Sequence, residues 1–238
     1  MSEILVSAVI PVFNDRSALQ KAIPKSLEVL EKITDSFELI VAEDGSTDGS
    51  AELVLEWEQK DSRVRLFHSD DRQGRGKALN RAFAAAKGKI VCYYDVDLAT
   101  DMSHLPDLVK AVEEGSDIAT GSRLMASSNI ERTAGREVAS RGYNFLVRTI
   151  LGSRLHDHQC GFKAFNRKRL LALLPFIVAG HWFWDTEVLI IGGRRGYTIS
   201  EFPVRWRTGT GTTVKLKDIT GMGADILKLW WRLHAEKD

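Results

Sequence analysis

Ile90-Val91-Cys92-Tyr93-Tyr94-Asp95-Val96-Asp97 is the stretch on which the fold turns. Five apolar residues in a row, branched and aromatic, read as a strand buried on both faces. Two carboxylates follow at once. A strand that ends in Asp-x-Asp places both acids at its carboxyl end, the edge where open α/β sheets bind ligands. Such a pair can hold a hard divalent cation that keeps waters and also takes phosphate oxygens. Asp ends many strands without any such role, so the pattern gains its meaning from what surrounds it.

Working outward, the chain alternates strand and helix. Strands are expected at Ile4 to Val12, Phe37 to Ala42, Val64 to His68 and Asp117 to Thr120. Helices are expected at Ala18 to Lys32, Ser50 to Lys60, Gly76 to Ala86 and, capped by Ser103, through Glu113. This rhythm specifies an α/β fold with a mostly parallel sheet flanked by helices. The polar loops after the first, second and fourth strands then meet at one edge. Beyond residue 121 the expected helices are Arg136 to Leu151, Trp184 to Gly193 and Ile219 to Leu233. The expected strands there are Gln159 to Phe165 and Thr198 to Arg207, the latter followed by a Gly/Thr loop to Thr213. With no repeat, low-complexity run or Pro/Ser linker, residues 1–238 read as a single domain.

The 238 residues are 44% hydrophobic and 27% charged, a globular balance that needs no disulfide staples. A net charge of +1 argues against a nucleic-acid partner. Two cysteines, Cys92 and Cys160, make no disulfide framework, and a reduced cytoplasmic setting is the default. The N-terminus lacks the basic region of a signal peptide, and no stretch approaches the ~20 apolar residues of a membrane span. A soluble or peripheral protein is expected.

Glu43-Asp44-Gly45-Ser46-Thr47-Asp48 offers acceptors for a base or ribose, and Ser46 or Thr47 is a candidate helix cap. Gln73-Gly74-Arg75-Gly76-Lys77-Ala78 is not a phosphate loop of the G-x-x-x-x-G-K-[ST] kind, since Ala78 stands where a hydroxyl is needed. A glycine turn opening a helix still favours an anion, with Arg75 or Lys77 adding charge. His156-Asp157-His158-Gln159-Cys160 has metal-ligand residue types without the second pair that zinc requires, so its role is structural or substrate-facing. Trp182 and Trp184 flank a helix start beside Asp185 and Glu187; at least one ring belongs in the core, and the other is free to meet a sugar or lipid.

Together these segments resemble the inverting family-two glycosyltransferases of the GT-A (Rossmann-like) fold, closest to the dolichyl-phosphate glucosyl- and mannosyltransferases. The resemblance runs from Val9-Ile10-Pro11-Val12-Phe13-Asn14 through the Asp44 loop, the glycine turn and Asp95-Val96-Asp97-Leu98-Ala99-Thr100. It continues through Gly121-Ser122-Arg123, Arg136 with Ser140 and Asn144, Gln159-Cys160-Gly161-Phe162-Lys163-Ala164-Phe165, Trp184-Asp185-Thr186-Glu187 and Glu201-Phe202-Pro203-Val204-Arg205-Trp206. It implies a nucleotide-sugar half, 1–120, and an acceptor half, 121–238. It implies donor binding by Pro11, Val12, Asn14, Asp44, Ser46, Lys77 and Asp95, and Mg²⁺ or Mn²⁺ on Asp95 and Asp97. Arg123, Arg136, Ser140 and Lys163 would bind the acceptor, with Asp97, Arg123 and Arg136 as the catalytic set. Two departures stand out. Ala99 occupies a position where mannosyl enzymes commonly have Gln, which favours the glucosyl type, and Gly211-Thr212-Thr213 replaces a common Gly-Ser-Lys, so the donor-phosphate lysine is absent there and whether Lys215 replaces it is left open.

The expected reaction is transfer of a hexose from UDP-glucose or GDP-mannose to a polyprenyl (dolichyl) phosphate, with inversion. A phosphate monoester is already ionised and needs no general base; its approach to an anionic donor needs cations. A sugar or protein hydroxyl acceptor would instead require a carboxylate base, Asp185 or Glu187. A non-catalytic nucleotide-sugar-binding protein is the third possibility. Ile219, Met222, Ile226, Trp230 and Leu233 form one stripe of the last helix, suited either to a membrane surface or to the protein's own core.

Overall fold

The computed structural model describes residues 3–207 and 216–235, the side chains of 216–220 and 222 excepted. The chain runs β1 (Val6–Val12), α1 (Arg16–Ile33), β2 (Phe37–Glu43), α2 (Ser50–Lys60), β3 (Val64–Phe67), α3 (Arg75–Ala85) and β4 (Ile90–Tyr94). There follow α4 (Leu105–Glu113), β5 (Ile118–Ser122), β6 (Asn129–Glu131), α5 (Ala134–Leu151), β7 (Phe162–Asn166) and α6 (Arg167–Leu173). The order closes with α7 (Trp184–Arg194), β8 (Ile199–Pro203), β9 (Arg205–Arg207) and α8 (Leu216–Ala235).

Seven strands form one sheet in the order β3-β2-β1-β4-β7-β5-β8. All pairings are parallel except those of β7, which runs antiparallel between β4 and β5. Alternation along each strand divides the core in two. Val6, Ala8 and Ile10 of β1 and Cys92 of β4 pack with α1, α2 and α4. Val9, Val91 and Tyr93 pack on the other face with α3, α5, α7 and α8. Phe83, Tyr93, Phe165 and Trp184 interlock there, with ring centroids 5.7–6.4 Å apart.

Because β1, β2, β4 and β5 are mutually aligned, their carboxyl ends share one edge, and antiparallel β7 begins at that same edge. Tyr94 pairs with Phe162, and Gly161 O accepts from Asp95 N at 3.2 Å. The turn after β4 passes through Leu98 in the left-handed region, φ 49°, and Asp97 Oδ1 accepts from Ala99 N at 3.0 Å.

Several sequence expectations are corrected. Thr198 to Arg207 is not one strand: β8 ends at Pro203, which has no N–H to continue a ladder, and β9 leaves to pair with β6 in a separate two-stranded sheet. Neither β6 nor α6 has a periodic signature long enough to be read from sequence. β7 starts at Phe162 rather than Gln159. Ser103 does not cap α4; Asp101 caps a short 3₁₀ turn ahead of it. Neither Ser46 nor Thr47 caps α2, whose N-cap is Gly49 with φ 84°.

For the last helix the structure decides between the two readings of its stripe. Ile226 and Leu229 are buried and Trp230 and Leu233 pack against the same core, so the stripe faces inward, while Leu227 and Trp231 are 55% and 69% exposed. The side chains of Ile219 and Met222, and all of Gly211-Thr212-Thr213 and Lys215, lie outside the described residues. No described helix is long and apolar enough to cross a membrane.

His158, between α5 and β7, illustrates how tightly the second half is locked. It is fully buried, with Nδ1 donating to Asn144 Oδ1 at 2.8 Å and Nε2 accepting from Ser153 Oγ at 2.7 Å. Burial pushes its pKa down to about 4. Between pH 6.5 and about 4 the unfolded chain therefore takes up a proton that the folded one refuses, so stability is full above 6.5 and declines as pH falls. The decline is of order 3 kcal/mol at one pKa unit per 1.36 kcal/mol. Urea unfolding of wild type and His158→Gln from pH 7 to 4.5 is expected to show the pH-dependent part shrinking in the mutant; parallel curves would remove His158 as its source.

Candidate active site

A cavity of about 410 Å³ opens at the carboxyl edge. Its lining includes five aspartates (Asp15, Asp44, Asp95, Asp97, Asp185) and five arginines (Arg72, Arg75, Arg123, Arg132, Arg136). The acids come mainly from the loops after β1, β2 and β4. Arg123 comes from the end of β5, and Arg132 and Arg136 from the approach to α5 and its first turn.

Asp95 is met by Arg75, whose Nη2 and Nε donate to Oδ1 at 2.7 and 3.1 Å. Arg75 Nη1 donates to Asp185 Oδ2 at 2.7 Å, and its guanidinium lies over the rings of Tyr93 and Trp182. Asp185 is buried and also accepts from Lys163 Nζ at 2.8 Å and from Tyr93 Oη. Burial alone would raise its pKa, but Lys163 and Arg75 hold it below the ordinary value. Asp97 is different. Burial first, then the charges of Asp95 and Asp15, push its pKa up.

That repulsion is what a divalent cation would relieve. Among the described residues no cluster of three or more His, Cys, Asp or Glu side chains is placed to hold a metal. Two carboxylates fit Mg²⁺ or Mn²⁺, ions that complete their shells with water and phosphate. Gly161 packs against the same acid, and a Cβ there would collide with the Asp95 carboxylate.

Asp44 is buried and lines the cavity, its two oxygens accepting from Gln73 N at 3.0 Å and Gly74 N at 2.8 Å. Gly74 is required in this turn: φ is 106°, and a Cβ would strike Gly180 O and the His181 ring. Pro11 and Val12 line the cavity. Asn14 and Ser46 lie outside its lining; they tie the first loop to the second, Asn14 N donating to Ser46 Oγ at 2.9 Å and Thr47 N to Asn14 Oδ1 at 2.8 Å.

Lys77 and Lys163 are found away from the cavity. Lys77 is exposed, two residues after Arg75 and so on the opposite side of α3; Arg75 takes the inner position. Lys163 is fully buried, donating to Cys160 O at 2.5 Å as well as to Asp185. Period-two alternation in β7 turns it beneath Asp185 rather than toward an acceptor.

Arg123 is held by Asp157. Its Nε and N donate to Oδ2 at 2.7 and 3.0 Å, and its Nη2 to Oδ1 at 3.0 Å. Burial opposes ionisation of Asp157, yet Arg123 keeps it far below the usual carboxylate range. The His-Asp-His run is thus structural, as a counterion and a core histidine. Arg136 and Ser140, four apart on α5, both reach the lining. Trp184 is the core ring, its Nε1 donating to Asn80 Oδ1 at 2.7 Å, and Trp182 is the one in the cavity wall. Glu187 is buried, accepting from Val178 N and Ala179 N at 2.9 and 2.7 Å and from Arg232. Sequence reading did not foresee the Asp157 and Tyr93 contacts, which depend on residues far apart in the chain. For Arg75 the signal existed in its place between two glycines.

Comparison with known proteins identifies the family. Residues 7–173 match the family described as Glycosyl transferase family 2. Glycosyltransferase AglD of Haloferax volcanii is 48% identical over 232 residues, covering 96% of this chain and 37% of that protein. The chain therefore spans little more than a third of that relative. Dolichyl-phosphate beta-glucosyltransferase ALG5D of Trichomonas vaginalis is 30% identical over 98% of this chain and 75% of its own length. The dolichyl-phosphate beta-glucosyltransferase of Saccharomyces cerevisiae is 29% identical over 94% and 74%. Glucosyl-3-phosphoglycerate synthase of Mycobacterium tuberculosis, solved with Mn²⁺, UDP and glucosyl-3-phosphoglycerate, superposes with a TM-score of 0.69 at 21% identity, covering 96% of this chain and 79% of that one. At that identity the likeness is one of fold.

Asp97→Asn is expected to keep the circular-dichroism spectrum and an unfolding midpoint no lower than wild type, since it removes a buried charge among like charges, while weakening Mn²⁺ binding at least tenfold by calorimetry, since an amide brings no charge to a cation. Wild-type Mn²⁺ affinity in the mutant would take Asp97 out of the metal site.

Proposed function

The chain belongs to glycosyl transferase family 2, and we propose that it transfers glucose from UDP-glucose to a polyprenyl phosphate with inversion at the anomeric carbon. The observation that carries this reading is the pairing of an arginine-lined wall with carboxylates that are already committed. Asp185 is engaged by Arg75, Lys163 and Tyr93, and Glu187 by two backbone N–H groups and Arg232. These two were the candidate bases for a hydroxyl acceptor, which would need a free carboxylate to take its proton. A phosphate monoester, ionised at neutral pH, needs only cations to lower its repulsion from the donor.

In this reading Pro11, Val12 and Asp44 line the nucleotide's place, and Asp95 and Asp97 hold Mg²⁺ or Mn²⁺. The ion would supply charge neutralisation for the leaving diphosphate. Arg75 adds a fixed cation at the same acid. Arg123, clamped by Asp157, and Arg136 with Ser140 receive the acceptor phosphate. The relatives named for dolichyl phosphate and beta-glucosyl transfer support the acceptor and the sugar. The neighbour solved with UDP and Mn²⁺ supports the base and the metal.

A lipid-borne acceptor also suits the outer surface. α5 carries Arg136 and Ser140 and exposes Val138, Phe145 and Leu146; α8, packed against it, exposes Leu227 and Trp231. An apolar face joined to an arginine-lined cavity fits a membrane surface that presents the phosphate.

Incubation with UDP-glucose, GDP-mannose and polyprenyl phosphate is expected to yield a hexosyl phosphate lipid from UDP-glucose, identified by mass. Sugar transfer to hydroxyl acceptors with no lipid product would overturn the reading. Arg136→Lys is expected to raise the KM for polyprenyl phosphate or lower kcat, with donor affinity unchanged, because Lys cannot present a planar pair of donors. Phe145→Glu with Trp231→Glu is expected to reduce flotation with anionic liposomes; equal flotation would move the membrane contact elsewhere.

A further inference from the structure

Between α6 and α7 the chain carries Trp182 into the cavity wall on a segment that forms no helix or strand from Ile177 to Gly180. Backbone N–H groups in such a segment need partners supplied from elsewhere. Glu187, in the first turn of α7, supplies them: Oε2 accepts from Val178 N at 2.9 Å and from Ala179 N at 2.7 Å. Glu187 is 1% exposed, and its Oε1 accepts from Arg232 Nη2 of α8, 45 residues away. The same Nη2 donates to Phe176 O at 3.3 Å. One guanidinium thus reaches both the entry to the segment and the carboxylate that holds it.

On its other side the segment rests against the glycine turn. Gly76 N donates to Gly180 O at 2.9 Å, and a Cβ on Gly76 would come within 2.6 Å of Ala179 O. Trp182 follows two residues later, and the Arg75 guanidinium lies 5.3 Å from its ring centroid. Arg75 is the residue that donates to both Asp95 and Asp185. The ring therefore closes one side of the cation that orients an acid at the cavity mouth. Neither Glu187 nor Arg232 lines the cavity.

We infer that Glu187 and Arg232 are positioning residues of the site, which hold the 177–183 segment so that Trp182 packs Arg75 against Asp95. The inference goes beyond the reaction proposed above and is the same for a lipid or a hydroxyl acceptor. One carboxylate oxygen serves the two amides and the other the guanidinium, an arrangement that a single hydroxyl could not copy. A site group displaced by about an ångström can cost a hundredfold in rate, even when the change behind it lies far from the chemistry. Breaking a buried ion pair also lowers stability, so the wall itself must be read beside the melting curve.

The full chain labelled with 5-fluorotryptophan is compared with Arg232→Gln, Arg232→Lys and the double variant Glu187→Gln with Arg232→Gln. Fluorine NMR reads the Trp182 resonance, assigned by its loss in Trp182→Phe, with Trp57 of α2 as the reference. Thermal unfolding and transfer from UDP-glucose to polyprenyl phosphate are measured alongside. In Arg232→Gln the Trp182 resonance is expected to shift or broaden while that of Trp57 stays. There kcat/KM is expected to fall roughly ten- to hundredfold at a temperature where the chain is fully folded. Arg232→Lys keeps a cation beside Glu187 and should recover most of the loss. So should the double variant, whose amide oxygen still accepts from both N–H groups with no charge left buried. An unmoved Trp182 resonance would overturn the inference, and so would a moved one beside wild-type kinetics. Failure of both Arg232→Lys and the double variant to recover the resonance would assign the effect to a general loosening of α8 and overturn it too. If the wild type transfers no glucose to polyprenyl phosphate, the proposed function fails and the Trp182 resonance decides alone. Should Arg232→Gln not fold, Glu187→Gln, which leaves no buried carboxylate unpaired, carries the same comparisons.

Discussion

Asp185 is the charge around which the site is arranged. It is a carboxylate buried at the start of α7, in surroundings where an unpaired ion would cost several kcal/mol. Three partners from three other elements make it tolerable: Tyr93 of β4, Lys163 of β7 and Arg75 of α3. Arg75 then extends the chain of charges to Asp95. The orientation of an acid at the cavity mouth is thereby tied to the packing of two strands and two helices. The interlocked rings of Phe83, Tyr93, Phe165 and Trp184 close the same region against water.

The reversed strand is what makes this arrangement possible. β7 is the one member of the main sheet that runs against its neighbours, and it therefore delivers its leading segment to the ligand edge. That segment carries Asp157, which clamps Arg123, and Gly161, whose lack of a side chain leaves room for Asp95. A seventh parallel strand in the same slot would have presented its other end. The short β6–β9 pair has a related effect, holding the chain just ahead of α5 beside the cavity.

The acids and arginines of the cavity are balanced in number yet unequal in condition. Asp185, and Asp157 behind the lining, lie below the ordinary carboxylate range because arginine or lysine meets them, whereas Asp97 lies above it because it is buried and its neighbours are also acidic. Environments that push like groups apart in this way separate roles within one site. In the proposed reading the paired acids act as supports and Asp97 is the acid that receives the cation.

Much of this was legible in the sequence. The apolar runs at Val6–Val12, Phe37–Glu43 and Ile90–Tyr94 are long, uninterrupted and closed by polar loops, so local pattern fixed the parallel half of the sheet and the ligand edge. Asp95, Asp97, Asp44 and the Arg136/Ser140 spacing were visible because each sits where a local rule places it, at a strand end or on a helix face. Tertiary structure decided the rest. Whether Lys163 met solvent or Asp185, whether Arg75 or Lys77 faced inward, and whether the apolar stripe of α8 met lipid or core depended on neighbours more than twenty residues away. So did the split of Thr198 to Arg207 between two sheets, which follows from Pro203 and from a partner strand too short to announce itself. Side-chain period shows which residues share a face, but only packing shows what that face meets.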